Sequence, residues 1–150
     1  MTEVLFYHLQ GRPLDRVLPA LLERSLERGW RIVVQAASEE RVEALDAHLW
    51  TYRDDGFLPH STDRDSEAQA QPVLITEHGG NPNGAHVRFL IDGAPLPVDA
   101  ALYQRIVVLF DGEDPDAVAQ ARERWSEAKT AGFDVTYWQP DEQGRWQRKT

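Results

Sequence analysis

The chain has 150 residues, of which 41% are hydrophobic, and it carries a formal net charge of −9 and no cysteine. This length suits a single domain with a sizeable core, which we expect to span residues 1–150. The lack of cysteine excludes disulfides, thiolate metal sites and a cysteine nucleophile. The negative charge argues against broad DNA binding, which depends on clustered Lys and Arg, and favours a protein partner.

The sequence predicts a location in the cytoplasm. No apolar run approaches the ~20 residues that a membrane-spanning helix needs, so no membrane contact is expected. The first nine residues are acidic at the start and strand-like, so they do not resemble a secretory signal.

The hydrophobic pattern predicts strands that alternate with helices along the chain. Predicted strands cover residues 3–9, 30–37, 72–77, 86–91, 105–110, 133–139 and 145–149. Predicted helices begin near Pro13, Ser38 and Asp114, with Ser38 and Asp114 as N-caps. Residues 52–71 read as a long polar surface loop, and residues 78–85 as the turn of a hairpin.

This order of elements predicts an α/β fold. Alternating β-α-β-α elements at the start of the chain favour a parallel sheet with right-handed crossovers. The last strand, residues 145–149, follows a short turn and is expected at the sheet edge. We therefore predict a single-domain, Rossmann-like three-layer sandwich with a mostly parallel central sheet and an antiparallel edge.

The sequence contains no recognisable nucleotide-binding or catalytic motif. Residues 10–13 follow the first strand but lack the glycines that cradle a pyrophosphate. The five histidines lack zinc-ligand spacing, and no serine lies in a nucleophile elbow. The acidic residues of the 52–71 loop lack the pattern of a calcium site. We expect no catalytic residues, no cofactor and no metal. A small enzyme or nucleotide-binding protein of doubly wound fold is the leading alternative, with its site near residues 10–12 and 112–114. A direct binder of single-stranded DNA, with Trp50 and Trp125 as stacking platforms, is a further alternative, against which the acidic charge argues.

The predicted third helix carries the densest group of cationic and aromatic side chains. Arg122, Arg124 and Lys129 lie near Trp125 in an otherwise acidic chain. Arginine beside an aromatic wall can hold a carboxylate while the ring packs against an apolar group. This arrangement favours an acidic ligand with an apolar tip, although helix propensity and core packing could also explain these residues.

Several segments, in order and spacing, resemble the chi subunit of the bacterial DNA polymerase III holoenzyme over essentially the whole chain. They are FYHL at 6–9, EALDAHLW at 43–50, FLPH at 57–60, QPVLIT at 71–76, VLFDG at 108–112 and RERWSEAKTAGFDVTYWQ at 122–139. The resemblance implies a non-catalytic adaptor of the clamp-loader complex in DNA replication. Its implied partners are the psi subunit, where present, and the acidic C-terminal tail of single-stranded DNA-binding protein, which ends in Pro-Phe. Contact with DNA would be indirect.

The resemblance also assigns residues to the tail-binding site. Trp50 corresponds to the family's pocket tryptophan and Arg122 to its key arginine, and Trp125 replaces a tyrosine of the enterobacterial form. Val118 and Ser126 replace lysines of that form. Either Arg124 and Lys129 compensate for them, or tail binding is weaker. The residues expected at the tail-binding site are Trp50, Arg122, Arg124, Trp125, Ser126 and Lys129. For the partner-subunit interface we expect Phe57, Leu58 and Trp146.

Overall fold

The computed structural model describes residues 2–52 and 58–149, which form one eight-stranded sheet with helices on both faces. The helices are α1 (Leu14–Glu27), α2 (Glu39–Thr51) and α3 (Pro115–Thr130). The strands are β1 (Glu3–Leu9), β2 (Ile32–Gln35), β3 (Ser61–Thr62), β4 (Val73–Thr76), β5 (Val87–Leu90), β6 (Arg105–Asp111), β7 (Asp134–Pro140) and β8 (Trp146–Arg148).

The sheet confirms the predicted fold class. Its strand order is β3-β4-β2-β5-β6-β1-β7-β8, and every neighbouring pair is parallel except β7 and β8. The single antiparallel pair lies at one edge, where a short turn joins the two strands. The protein is therefore an α/β sandwich with a mostly parallel sheet and an antiparallel edge.

The residues predicted to cap the second and third helices do so in the structure. The Ser38 hydroxyl accepts a hydrogen bond from the amide of Arg41 at 3.2 Å, and the Asp114 carboxylate accepts one from the amide of Asp116 at 3.0 Å. These side chains satisfy amides that have no partner within the helix. Beyond α3, Gly132 has φ +84°, the left-handed conformation that stops a helix and that glycine adopts without strain.

Two apolar layers cover the two faces of the sheet. One contains buried residues of α1 and α2 packed on β2, β4, β5 and β6, including Leu18, Leu45 and Val34. The other contains Ala121 and Ala128 of α3 packed on β1, β6 and β7. Helices α1 and α2 therefore lie on one face, and α3 lies on the opposite face.

The predicted hairpin between β4 and β5 is wrong. Both strands pair in parallel with β2, which lies between them. The fully buried side chain of Arg88 contacts the segment that connects β4 to β5. Its guanidinium donates to the carbonyls of His78 at 2.7 Å and Gly80 at 2.8 Å, and to the side chain of Gln35. A buried arginine with this many acceptors fixes a crossover that apolar periodicity does not reveal.

The predicted loop at residues 52–71 contains more structure than expected. Ser61–Thr62 adds strand β3 to the sheet beside β4, and Ala68–Ala70 forms a 3₁₀ turn. His60 is buried, with its two ring nitrogens at hydrogen-bond distance from the carbonyls of Leu58 and Asp46. A two-residue strand is too short to leave a periodic signal in a polar sequence.

Candidate functional site in the α3 groove

An aromatic groove lies between α3 and the sheet, and we call it the α3 groove. It has a volume of about 340 Å³. Its lining residues are Phe6, His8, Phe110, Val118, Ala121, Arg122, Trp125 and Tyr137. Side chains alternate between the two faces of a strand, so Phe6 and His8 of β1 and Tyr137 of β7 point to the same face. Neighbouring strands and one helix thus bring together rings that are far apart in sequence.

The rings of the groove pack edge to face. The centroid of Phe6 lies 5.3 Å from that of Trp125, and Trp125 lies 6.3 Å from Tyr137. His8 lies 5.2 Å from Phe110 and is hydrogen-bonded to the Tyr137 hydroxyl. Edge-to-face pairs of this kind stabilise one another, so the walls form a preorganised apolar surface.

The His8 imidazole is closely packed, and its pKa differs from the ordinary value. A Cβ on Gly112 would overlap its imidazole, so only glycine at 112 allows the ring to occupy this position. Burial lowers the pKa of His8, while the carboxylate of Asp111 acts in the opposite direction. Neutral imidazole is therefore favoured near neutral pH, and Arg122 supplies the positive charge of the groove.

The cations expected on α3 separate into two groups. The exposed Arg122 lines the groove, and the Lys129 ammonium lies 5.5 Å from the Trp125 ring centroid, within range of a cation–π interaction. Arg124 instead forms a salt bridge with Glu127 at 3.1 Å and donates to the carbonyl of Gly93. Arg124 therefore does not line the α3 groove and does not replace the missing lysines there. Ser126 is exposed on α3 and does not line the groove either.

The structure does not bring Trp50 and Arg122 into one groove. Trp50 belongs to α2, which packs on the face of the sheet opposite α3. Its indole is 51% exposed and lies 4.4 Å, centroid to centroid, from the ring of His60. The expectation that Trp50 forms a second wall beside Arg122 is therefore wrong. Helical periodicity gives the buried side of each helix but not the sheet face on which the helix lies.

The three residues expected at a partner-subunit interface lie in different environments. Leu58 is 1% exposed and belongs to the core on the α1 and α2 face, so its side chain is not presented to a partner. Phe57 lies outside the described residues. Trp146 is partly buried in β8, where its ring packs 4.7 Å from that of Tyr7.

A second cavity lies where the enzyme or nucleotide alternative would place its site. It has a volume of about 690 Å³ and lies at the carboxyl ends of β1, β5 and β6. Five carboxylates line it, those of Asp92, Asp111, Glu113, Asp114 and Asp116. Of its three arginines, two are already engaged, Arg41 with Asp92 at 3.1 Å and Arg124 with Glu127. An excess of carboxylates repels phosphate, so the cavity does not favour a nucleotide.

The described residues include no group of three or more His, Asp or Glu side chains placed to hold a metal ion. Within the same residues, no helix is long and apolar enough to cross a membrane.

Sequence comparison identifies the family. The sequence model of the family described as "DNA polymerase III chi subunit, HolC" matches residues 1–136. The chain belongs to the DNA polymerase III chi subunit family. It is 34% identical over 138 residues to the DNA polymerase III subunit chi of Pseudomonas aeruginosa, covering 89% of this chain and 93% of that protein. It is 26% identical over 121 residues to the probable DNA polymerase III subunit chi of Rickettsia prowazekii, covering 74% of this chain and 71% of that one.

Membership of the chi family makes the chain an accessory subunit of DNA polymerase III and a component of a replication complex.

The α3 groove also contains residues that the sequence pattern did not identify. Sequence reasoning placed Arg122 and Trp125 at a site, but it left out Phe6, His8 and Phe110. Aromatic and apolar residues alternate in β1 and at the end of β6. This pattern indicates a shared groove only when the two strands are known to be neighbours.

Proposed function

We propose that the α3 groove binds an acidic peptide with an apolar C-terminal residue, the tail of single-stranded DNA-binding protein. The observation that supports this proposal is an aromatic groove with Arg122 at its surface and, among residues 2–52 and 58–149, no carboxylate in its lining. An apolar end residue would pack against Trp125 and Tyr137, while its free carboxylate would meet the guanidinium of Arg122. Capture of a terminal carboxylate is a recurring mode of peptide recognition.

The flanks of the groove suit the rest of such a tail. Lys129 lies one helical turn beyond Trp125 and can attract the acidic residues that precede the apolar end. Val118 keeps one flank apolar where the enterobacterial form has lysine. The proposed site therefore depends on Arg122 and Lys129 for charge and on the rings for shape.

This binding would make the chain a non-catalytic adaptor that links the clamp-loader complex to single-stranded DNA-binding protein in the cytoplasm. The psi subunit, where present, would bind elsewhere on the chain and without the buried Leu58 side chain. Single-stranded DNA-binding protein would hold the DNA while its tail binds the α3 groove. The groove itself would therefore contact no nucleic acid.

The test is calorimetric titration with a synthetic acidic peptide that ends in Pro-Phe. Arg122→Ala should weaken binding about tenfold or more, because a charge-assisted hydrogen bond is lost. Amidation of the peptide C-terminus should weaken binding to the wild-type protein in the same way, and added salt should weaken it further. Arg124→Ala is the matched control, since Arg124 lies on the same helix outside the groove. Equal affinity for wild-type protein and Arg122→Ala would overturn the site.

A further inference from the structure

A second aromatic groove lies on the opposite face of the sheet, between α1 and the β7–β8 edge, and we call it the α1/β8 groove. It has a volume of about 730 Å³. Three partly buried rings form its aromatic surface. Tyr7 of β1 lies 4.7 Å from Trp146 of β8 and 6.1 Å from Trp138 of β7, measured between ring centroids. No helix covers these rings on the β8 side, where the groove opens to solvent.

Within the described part of the chain, four arginines surround these rings and no carboxylate lines the groove. Arg12 lies just before α1, Arg16 in its first turn, Arg24 in its last turn and Arg145 in the β7–β8 turn. All four are exposed, and within the described residues none of them forms a salt bridge. In a chain with a net charge of −9, this is a concentrated positive surface.

The end of the groove beside the β7–β8 turn is structurally fixed. The Arg12 guanidinium lies so close to Gly144 that a Cβ at this position would overlap it. In the same turn, the Asp141 carboxylate accepts hydrogen bonds from the amides of Gln143 and Arg145 at 2.9 and 2.8 Å. The Asp141 carboxylate is therefore already used within the turn.

The spacing of the cations suits a ligand with repeated negative charge. Arg16 and Arg24 are eight residues apart on one helix, which corresponds to about 12 Å along its axis. A ligand with several anionic groups can contact both of them more readily than a single carboxylate or phosphate can. A nucleic acid strand carries a phosphate at every nucleotide, and its bases can stack on aromatic rings.

We propose that the α1/β8 groove binds single-stranded DNA directly, with phosphates on Arg12, Arg16, Arg24 and Arg145 and bases against Trp138 and Trp146. The combination of cations with several aromatic platforms is typical of sequence-tolerant binding to single strands. A subunit of a DNA polymerase also works where such strands are present. This inference goes beyond the proposed adaptor role and replaces two expectations, that DNA contact is only indirect and that Trp146 belongs to a partner-subunit interface.

The experiment is fluorescence anisotropy with a labelled oligothymidylate of about 15 nucleotides, within the site sizes known for single-strand binders, in about 50 mM salt. Binding should weaken with salt, and the slope of log K against log salt should approach about −2.8 if four phosphates are neutralised. Arg16→Ala combined with Arg24→Ala should reduce the magnitude of that slope by about 1.4. Trp146→Ala should lower the affinity about fivefold or more through lost stacking, and Trp146→Phe should retain most of it.

Two controls separate this groove from general charge effects. Arg64→Ala removes an exposed arginine beside β3, at the far edge of the sheet, and should leave oligonucleotide binding unchanged. Arg122→Ala should also leave it unchanged, so failure of the tail-binding proposal would not affect this result. Thermal unfolding of every variant checks that the Trp146 substitutions leave the protein folded.

Three outcomes would overturn the proposal. The first is no anisotropy change in about 50 mM salt, conditions that favour phosphate contacts. The second is full affinity in the folded Arg16→Ala/Arg24→Ala variant. The third is displacement of the oligonucleotide by poly-glutamate at a lower molar concentration than by unlabelled oligothymidylate, which would assign the groove to an acidic protein segment.

Discussion

The two grooves show how one pair of strands can serve two sites of different character. Phe6 and Tyr137 face α3, whereas the next residues along the chain, Tyr7 and Trp138, face α1. Because adjacent residues of a strand point to opposite faces, β1 and β7 supply aromatic rings to both grooves. Aromatic content therefore does not distinguish the two sites.

Charge does distinguish them. Among the residues that the structure describes, Arg122 is the one charged side chain that lines the α3 groove when its histidine is neutral, whereas four arginines line the α1/β8 groove. One cation beside an apolar surface suits one terminal carboxylate, and a row of cations beside rings suits a polyanion. If both proposals hold, cation number and spacing, more than the rings, select the ligand.

The largest expected effect comes from Trp125→Ala. The indole packs against both Phe6 and Tyr137, so its removal should lower the free energy of unfolding by about 2–4 kcal/mol and abolish measurable peptide binding. Urea denaturation and calorimetry measure the two effects. Trp146→Ala is the companion variant on the other face and should retain peptide binding. A folded Trp125→Ala protein with wild-type peptide affinity would show that the apolar end does not bind in the α3 groove.

A smaller effect is expected from pH. The groups that face His8 are Asp111 of β6, Tyr137 of β7 and, across the groove, Arg122 of α3. Because the pKa of His8 is lowered, its protonation adds a cation to the α3 groove only in mildly acidic solution. Peptide carboxylates remain ionised there, since their pKa values are about 4. Peptide affinity should therefore rise a few-fold as the pH falls from about 7 to about 5.

His8→Gln should remove this pH dependence, because glutamine keeps hydrogen-bonding groups but does not titrate. The same lowered pKa affects folding with a defined sign. Between the lowered pKa of His8 and its unfolded value of about 6.5, the unfolded chain binds more protons, so stability rises with pH in that window and falls on acidification. A peptide affinity that is independent of pH in the wild-type protein would contradict a contribution of protonated His8 to peptide binding.

The smallest effect is expected from Trp50→Ala. The exposed indole lies on the face opposite Arg122, so peptide affinity should change less than twofold in calorimetry. Binding of the oligonucleotide should also be unchanged, because Trp50 does not line the α1/β8 groove. A tenfold loss of peptide affinity in this variant would show that Trp50 and Arg122 contact one ligand across the protein, against the arrangement described above.

Local sequence signals predicted most of the elements but not their arrangement. The caps at Ser38 and Asp114 and the alternation in β1 are properties of neighbouring residues, so they can be read directly from the chain. The position of β2 between β4 and β5 follows from pairings between distant segments, and buried hydrogen bonds of Arg88 accompany it. Strand order is thus a result of long-range packing that periodicity does not contain.

The residues of the candidate site also include some that local sequence predicts and others that only long-range packing brings together. Arg122 and Trp125 share one turn of one helix, and their proximity follows from helical spacing. The prediction that Trp50 lies beside Arg122 is wrong for a different reason. The side of the sheet on which each helix packs follows from the handedness of the connections and from the strand order. The α1/β8 groove was missed for a related reason, since its arginines come from α1 and a turn about 120 residues later.

The most direct test of the two-groove account is a paired titration of the acidic Pro-Phe peptide and the oligothymidylate. Each ligand is measured against the wild-type protein, Arg122→Ala and Arg16→Ala/Arg24→Ala. We predict that Arg122→Ala loses only the peptide, that the double variant loses only the oligonucleotide, and that saturating peptide does not displace the oligonucleotide from the wild-type protein. Loss of both ligands in either folded variant, or competition between the ligands, would contradict two separate sites.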